Sequence, residues 1–147
     1  MVYTYDAELT VNSVIDNLTE AGLPDGDPEI NIFTTPGIIR QNGDEFTIDY
    51  VEQTEDYKTY CTLVACGERV KLSRKGAVDC DVLFDTVTPC DCIYRVPPYS
   101  FDMSVQTLRV RNFLSENGGE LRLIYLMNIG GQDKKVRMSI KAKAVMQ

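Results

Sequence analysis

The sequence predicts an all-β protein: a single antiparallel up-and-down meander of about 8–10 strands closed into a small barrel, with at most a short helix near the N-terminus. Three observations carry this prediction. From about Phe46 to Ala144, short stretches of alternating apolar and polar residues follow one another with no convincing helical period between them. Turn signals separate them, among them Asn42-Gly43, Asn117-Gly118-Gly119 and Gly130-Gly131. A meander this long must close on itself or stack into a sandwich, because open strand edges template aggregation.

At the N-terminus, Tyr3, Tyr5, Ala7, Leu9 and Val11 alternate with polar neighbours and predict a strand. Val11, Val14, Ile15 and Leu18 also fit helical spacing, which is where the short helix would lie. Residues 19–28 form an acidic loop expected to be mobile, rich in glycine and proline around Gly22-Leu23-Pro24-Asp25-Gly26-Asp27-Pro28. Glu29 to Arg40 reads as extended, with a bend or bulge at Pro36-Gly37. Beyond the Asn42-Gly43 turn, Phe46, Ile48, Tyr50 and Glu52 share one face of the return strand.

Lys58–Ala65 and Arg69–Lys75 form the next hairpin, around Cys66-Gly67. In its second strand Val70, Leu72 and Arg74 point one way and Lys71, Ser73 and Lys75 the other. Asp79–Val87 is strand-like. Pro89–Tyr99 reads as a loop or edge segment, because Pro97-Pro98 is barred from a sheet centre. Met103, Val105 and Thr107 alternate, and then the apolar phase moves to Leu108 and Val110, which marks a β-bulge. Leu121–Ile129 is apolar in both phases and is expected to be the most buried strand. Val136, Met138, Ile140, Ala142 and Ala144 complete the meander.

The chain has 147 residues, 44% of them hydrophobic, which suits one domain over 1–147 with an ordinary core. No apolar stretch approaches the ~20 residues of a membrane span. The first residues lack the basic and apolar regions of an export signal, so the expected location is the cytoplasm. The five cysteines are odd in number and unpatterned, which fits free thiols in a reducing compartment. A net charge of −7 argues against nucleic-acid binding. Basic residues gather late, in Lys134, Lys135, Arg137, Lys141 and Lys143, where a solvent-facing strand accounts for most of them and an anionic partner is the alternative. The absence of histidine removes the commonest general base and metal ligand.

Tyr50-Val51-Glu52, Val70-Lys71-Leu72-Ser73-Arg74-Lys75-Gly76, Tyr94 with Pro97 and Phe101, Thr107, Gly118-Gly119-x-Leu121-x-Leu123-x-Tyr125 and Ile129-Gly130-Gly131 occur in one order. By these motifs the chain resembles the YwiB-like family of small bacterial proteins with a lipocalin-like (calycin) β-barrel. The resemblance covers about residues 29–144. It departs from the family's pattern at Val96-Pro97-Pro98-Tyr99, where a sequence close to Thr-Pro-Tyr-Gly is usual. The resemblance implies a fold, and an interior of the kind that holds small apolar or amphipathic ligands, but no reaction.

Arg74 and Glu52 are in phase with the apolar faces of their strands and should point into the barrel. A buried arginine requires an anion. Either Glu52 is that anion in a fixed structural pair, or Arg74 receives the carboxylate or phosphate of a ligand. Tyr50 stands beside them as a donor, while Tyr94, Tyr99, Tyr125 and Thr107 are core or pocket-lining groups. Cys90-Asp91-Cys92 invites a metal, but zinc would need Cys61, Cys66 or Cys80 to converge on it. Glu55 and Asp56 read as exposed loop acids. No phosphate loop, dinucleotide fingerprint or nucleophile–histidine pair is present.

The resulting expectation is a non-enzymatic barrel without cofactor. It binds a small anionic or amphipathic ligand near Arg74, Glu52, Tyr50, Tyr94, Tyr125 and Thr107. The alternative is an interaction module, filled by its own side chains and possibly homodimeric, with the final strand as its surface.

Overall fold

Side chains of a β-strand alternate between faces, so the period-two pattern requires a sheet with one dry side. A computed structural model describing residues 2–145 shows that sheet. Met1, at the head of the stretch read for an export signal, lies outside the described residues, as do Met146 and Gln147. Ten strands follow in order: β1 (Val2–Asn17), β2 (Glu29–Asn42), β3 (Glu45–Gln53), β4 (Lys58–Cys66), β5 (Arg69–Gly76), β6 (Cys80–Phe84), β7 (Cys90–Val96), β8 (Tyr99–Ser115), β9 (Gly118–Ile129) and β10 (Gln132–Ala144). Every pairing is antiparallel.

The sheet order is β6-β5-β4-β3-β2-β1-β10-β9-β8-β7. The first and last strands are therefore long-paired neighbours, from Ala7 opposite Ala144 to Asn17 opposite Lys134. The seam of the barrel falls in mid-chain, between β6 and β7. There Asp79 and Arg95 exchange two backbone hydrogen bonds of 2.9 Å and nearly close the barrel. The core lies inside and draws on every wall, with Leu9, Ile39, Ile48, Leu63, Val70, Phe84, Leu121, Leu123 and Ile140 among its least exposed side chains.

No helix forms among the described residues, and thus none is long enough to cross a membrane. The helical spacing from Val11 to Leu18 is overridden: β1 continues to Asn17 because β2 and β10 both pair with it there, satisfying its backbone on two sides. No register break marks Pro36-Gly37 either, as β2 runs through it unshifted against β1. Proline is tolerated because the β3 ladder covers only Gly37–Asn42, so Pro36 sits at a locally free edge.

Two turns fall one place later than expected. Asn42 pairs with Glu45 and Cys66 with Arg69, so the turn residues are Gly43-Asp44 and Gly67-Glu68. In each the first residue alone takes a positive φ, 63° at Gly43 and 60° at Gly67, a place only glycine fills cheaply. The segment from Pro89 is mostly strand, namely the edge strand β7, and Pro97-Pro98, joined by a cis peptide bond, forms the turn into β8. The expected bulge lies between Thr107 and Arg109. Leu108 is its extra residue and stands 45% exposed, so it is Val110 that resumes the inward phase.

Candidate functional site

Four side chains from consecutive strands form one interior row. Tyr50 pairs with Cys61, Cys61 with Arg74, and Arg74 with Cys80. Each occupies the inward phase of its strand, and the hairpin turns hold the four in register. Glu52 lies two residues beyond Tyr50 on β3, again inward. The Arg74 side chain crosses β4 and donates from Nη2 to Glu52 Oε2. The side chains of Arg74 and Glu52 remain 20% and 30% exposed, so the pair sits where water reaches it.

The electrostatics follow from that burial. Desolvation opposes the charge on Arg74, but Glu52, followed by Tyr94, Cys61 and Cys80, more than offsets it and holds the guanidinium protonated beyond its ordinary range. Burial first, and then Cys61 and Glu52, push the Tyr50 hydroxyl well above its ordinary value. Burial and the Glu52 carboxylate raise the Cys61 thiol to about 11, despite the opposing pull of Arg74. Burial raises Tyr125 to about 12, again against Arg74. These neighbours are neutral at pH 7, so one cation and one anion stand among phenols and thiols. Burial holds the Cys61 and Cys80 thiols above their ordinary range, so neither is activated as a nucleophile.

The remaining predicted residues are brought together unequally. Tyr94 on β7 and Tyr125 on β9 face the interior close enough for Arg74 to feel or influence their charge. Tyr125 also packs on Phe84, with ring centroids 4.7 Å apart. Thr107 is buried opposite Tyr125 beside the bulge. Tyr99 is exposed at 66% and belongs to the rim. Glu55 and Asp56 are exposed at the β3–β4 turn.

Cys90 and Cys92 share the inward face of β7, half-buried against the core. Cys90 Sγ accepts a 3.4 Å hydrogen bond from the Leu83 amide across the seam. Burial, then Cys90 and Cys80, raise the Cys92 thiol to about 12. Among the described residues, no three Cys, Asp or Glu side chains converge as a metal site. Cys61 and Cys80 were not foreseen as companions of Arg74. Their phase in β4 and β6 carried the signal, but the register that aligns them with Arg74 is a property of the pairing.

The fold and site define a ten-stranded antiparallel barrel with the Arg74–Glu52 ion pair set among interior phenols and thiols. The chain belongs to the family described as "Domain of unknown function (DUF1934)", which matches residues 19–140. It is similar to a solved structure described as "Crystal structure of ywiB protein from Bacillus subtilis". The TM-score is 0.82 at 22% identity, covering 97% of this chain and 94% of that one. That likeness shows the shared fold and agrees with the resemblance read from the motifs. No curated protein matches the chain.

Proposed function

We propose that the protein is a cytoplasmic, calycin-like binding protein that takes a small anionic or amphipathic ligand at the barrel end beside Arg74, Glu52 and Tyr50. One observation carries this reading: Arg74 Nε is buried without a hydrogen-bond partner, while Nη2 is held by Glu52. An unsatisfied buried donor on a cation costs on the order of 1–3 kcal/mol, and a carboxylate or phosphate oxygen would relieve that cost. The partial exposure of the pair supplies an approach from solvent, and Tyr94 and Tyr125 supply apolar faces with polar tips. The high thiol pKa values favour binding over covalent chemistry, and five free cysteines suit a reducing compartment.

A second reading, an interaction module or homodimer, is favoured by a different feature. Residues 29–36 of β2 pair with β1 alone among the described residues, and Ile30 and Ile32 there are 60% and 63% exposed. Native mass spectrometry of freshly purified protein separates the two readings. Retained small-molecule mass that disappears in Arg74→Met supports ligand binding. A dimer without retained mass overturns it in favour of the second reading.

A further inference from the structure

On the outside of the barrel, β8, β9, β10 and β1 bring four arginines to one cleft. Pairing places Arg111 opposite Arg122, Arg122 opposite Ser139, and Ser139 opposite Asn12. The neighbouring row holds Arg109, Ile124, Arg137 and Val14. These residues surround a cleft of about 290 Å³. The bulge at Leu108 creates the arrangement. From Met103 to Thr107 the odd-numbered residues of β8 face inward, and without the extra residue Arg109 and Arg111 would enter the core.

The charge in the cleft is only partly balanced. Arg122 has Glu120 at 2.6 Å and Arg137 has Asp16 at 3.9 Å. Arg109 and Arg111 have no carboxylate partner among the described residues, and Arg111 faces Arg122 directly. Like charges opposed across a strand pair are destabilising. Their accumulation in a chain of net charge −7 calls for a counter-anion. The two uncompensated guanidinium groups match the charge of one phosphate monoester, about −1.5 to −2 at pH 7. Guanidinium forks suit phosphate oxygens bidentately. Asn12 Oδ1, buried in the cleft wall without a partner, offers an acceptor to a ligand hydroxyl, and Val14 and Ile124 offer apolar contact.

We infer that this outer cleft is a binding site for a small phosphorylated molecule. Its phosphate is held by Arg109, Arg111, Arg122 and Arg137 and its body lies toward Asn12 and Val14. The site is on the opposite side of the barrel wall from Arg74 and is independent of the ligand proposed there.

The test is titration of the full chain with inorganic phosphate, glycerol 2-phosphate and pyrophosphate at fixed ionic strength, followed by isothermal calorimetry and by amide shifts in NMR. Saturable binding of a phosphate compound is expected, with shifts centred on Asn12, Arg122 and Ser139. Arg109→Gln and Arg111→Gln should each weaken it about tenfold, the scale of one lost charge-assisted contact. Lys143→Gln, elsewhere on β10, and Arg74→Met should leave it unchanged. A phosphomonoester binding more tightly than free phosphate assigns the site to an organic phosphate, and the reverse order assigns it to the inorganic ion. Equal weakening by Lys143→Gln, shifts scattered over the surface, or binding only to anionic vesicles or oligonucleotides would overturn the inference. The NMR map needs no variant and stands if a substitution fails to fold.

Discussion

Arg74 on β5 reaches over β4 to the carboxylate of Glu52 on β3, so one ion pair ties three adjacent strands of the barrel wall. Both side chains keep some contact with solvent, which moderates the cost of desolvating them. Removing one partner leaves the other charge partly buried and alone. Glu52→Gln and Arg74→Met are each expected to destabilise the protein by about 1–3 kcal/mol, and the Glu52→Gln/Arg74→Met double variant by less than the sum. Urea midpoints for the four-member cycle measure this. Strict additivity would mean that the pair contributes nothing.

The thiols predict how stability varies in alkali. Cys61 rises from 9.0 to about 11 on folding, chiefly through burial, and Cys92 from 9.0 to about 12. A raised thiol pKa stabilises the fold fully below the unfolded value, and that contribution is lost as pH climbs through the folded value. The urea midpoint should therefore hold from pH 7 to about 8.5 and fall from about pH 9 upward. In Cys61→Ala part of that fall should vanish. A wild-type midpoint that stays flat to pH 11 contradicts the burial assigned to these groups.

Thiol labelling checks cysteine burial at neutral pH. Cys66 is exposed at the β4–β5 turn, while Cys61 and Cys80 are buried. A disulfide reagent should label Cys66 at once in native protein, with Cys61 and Cys80 reacting only on unfolding. Rapid labelling of Cys80 would show that the β6–β7 seam opens readily.

Gly119 tests the tightness of the β8–β9 wall. Its φ is +118°, and a Cβ there would run into the Phe113 carbonyl oxygen. Gly131 also has a positive φ but faces open space. Gly131→Ala should cost about 1 kcal/mol from backbone preference alone, and Gly119→Ala clearly more. Equal losses in thermal melts would place the strain in the backbone only.

Across the bulge, neighbouring residues should respond in opposite ways. Leu108→Asp changes an exposed side chain and is expected to shift stability by less than about 0.5 kcal/mol. Val110→Asp places a carboxylate in the core and should unfold the protein. Circular dichroism of the two variants suffices to tell them apart.

Much of this architecture was legible because strand alternation is local. The shared face of Val70, Leu72 and Arg74, the phase break after Thr107 and the all-β class needed only the sequence and the two-residue period. The inward placement of Arg74 and Glu52 followed from the same period. Helical spacing from Val11 to Leu18 misled because a strand flanked by two partners gains hydrogen bonds that no local pattern can register. The turns at Gly43 and Gly67 slipped by one because glycine is required at the first turn position, and the preceding Asn42 and Cys66 remain paired in the ladder.

What the sequence by itself determined is the alternation: which residues face inward along each strand, and that a cation and an anion are among them. Only the tertiary structure decided which strands meet. It joined β1 to β10, left the seam at β6 and β7, set Cys61 and Cys80 beside Arg74, and gathered Arg109, Arg111, Arg122 and Arg137 on one outer cleft. The physical reason is that facing depends on a residue's own strand, whereas register and closure depend on pairing between segments far apart in the chain.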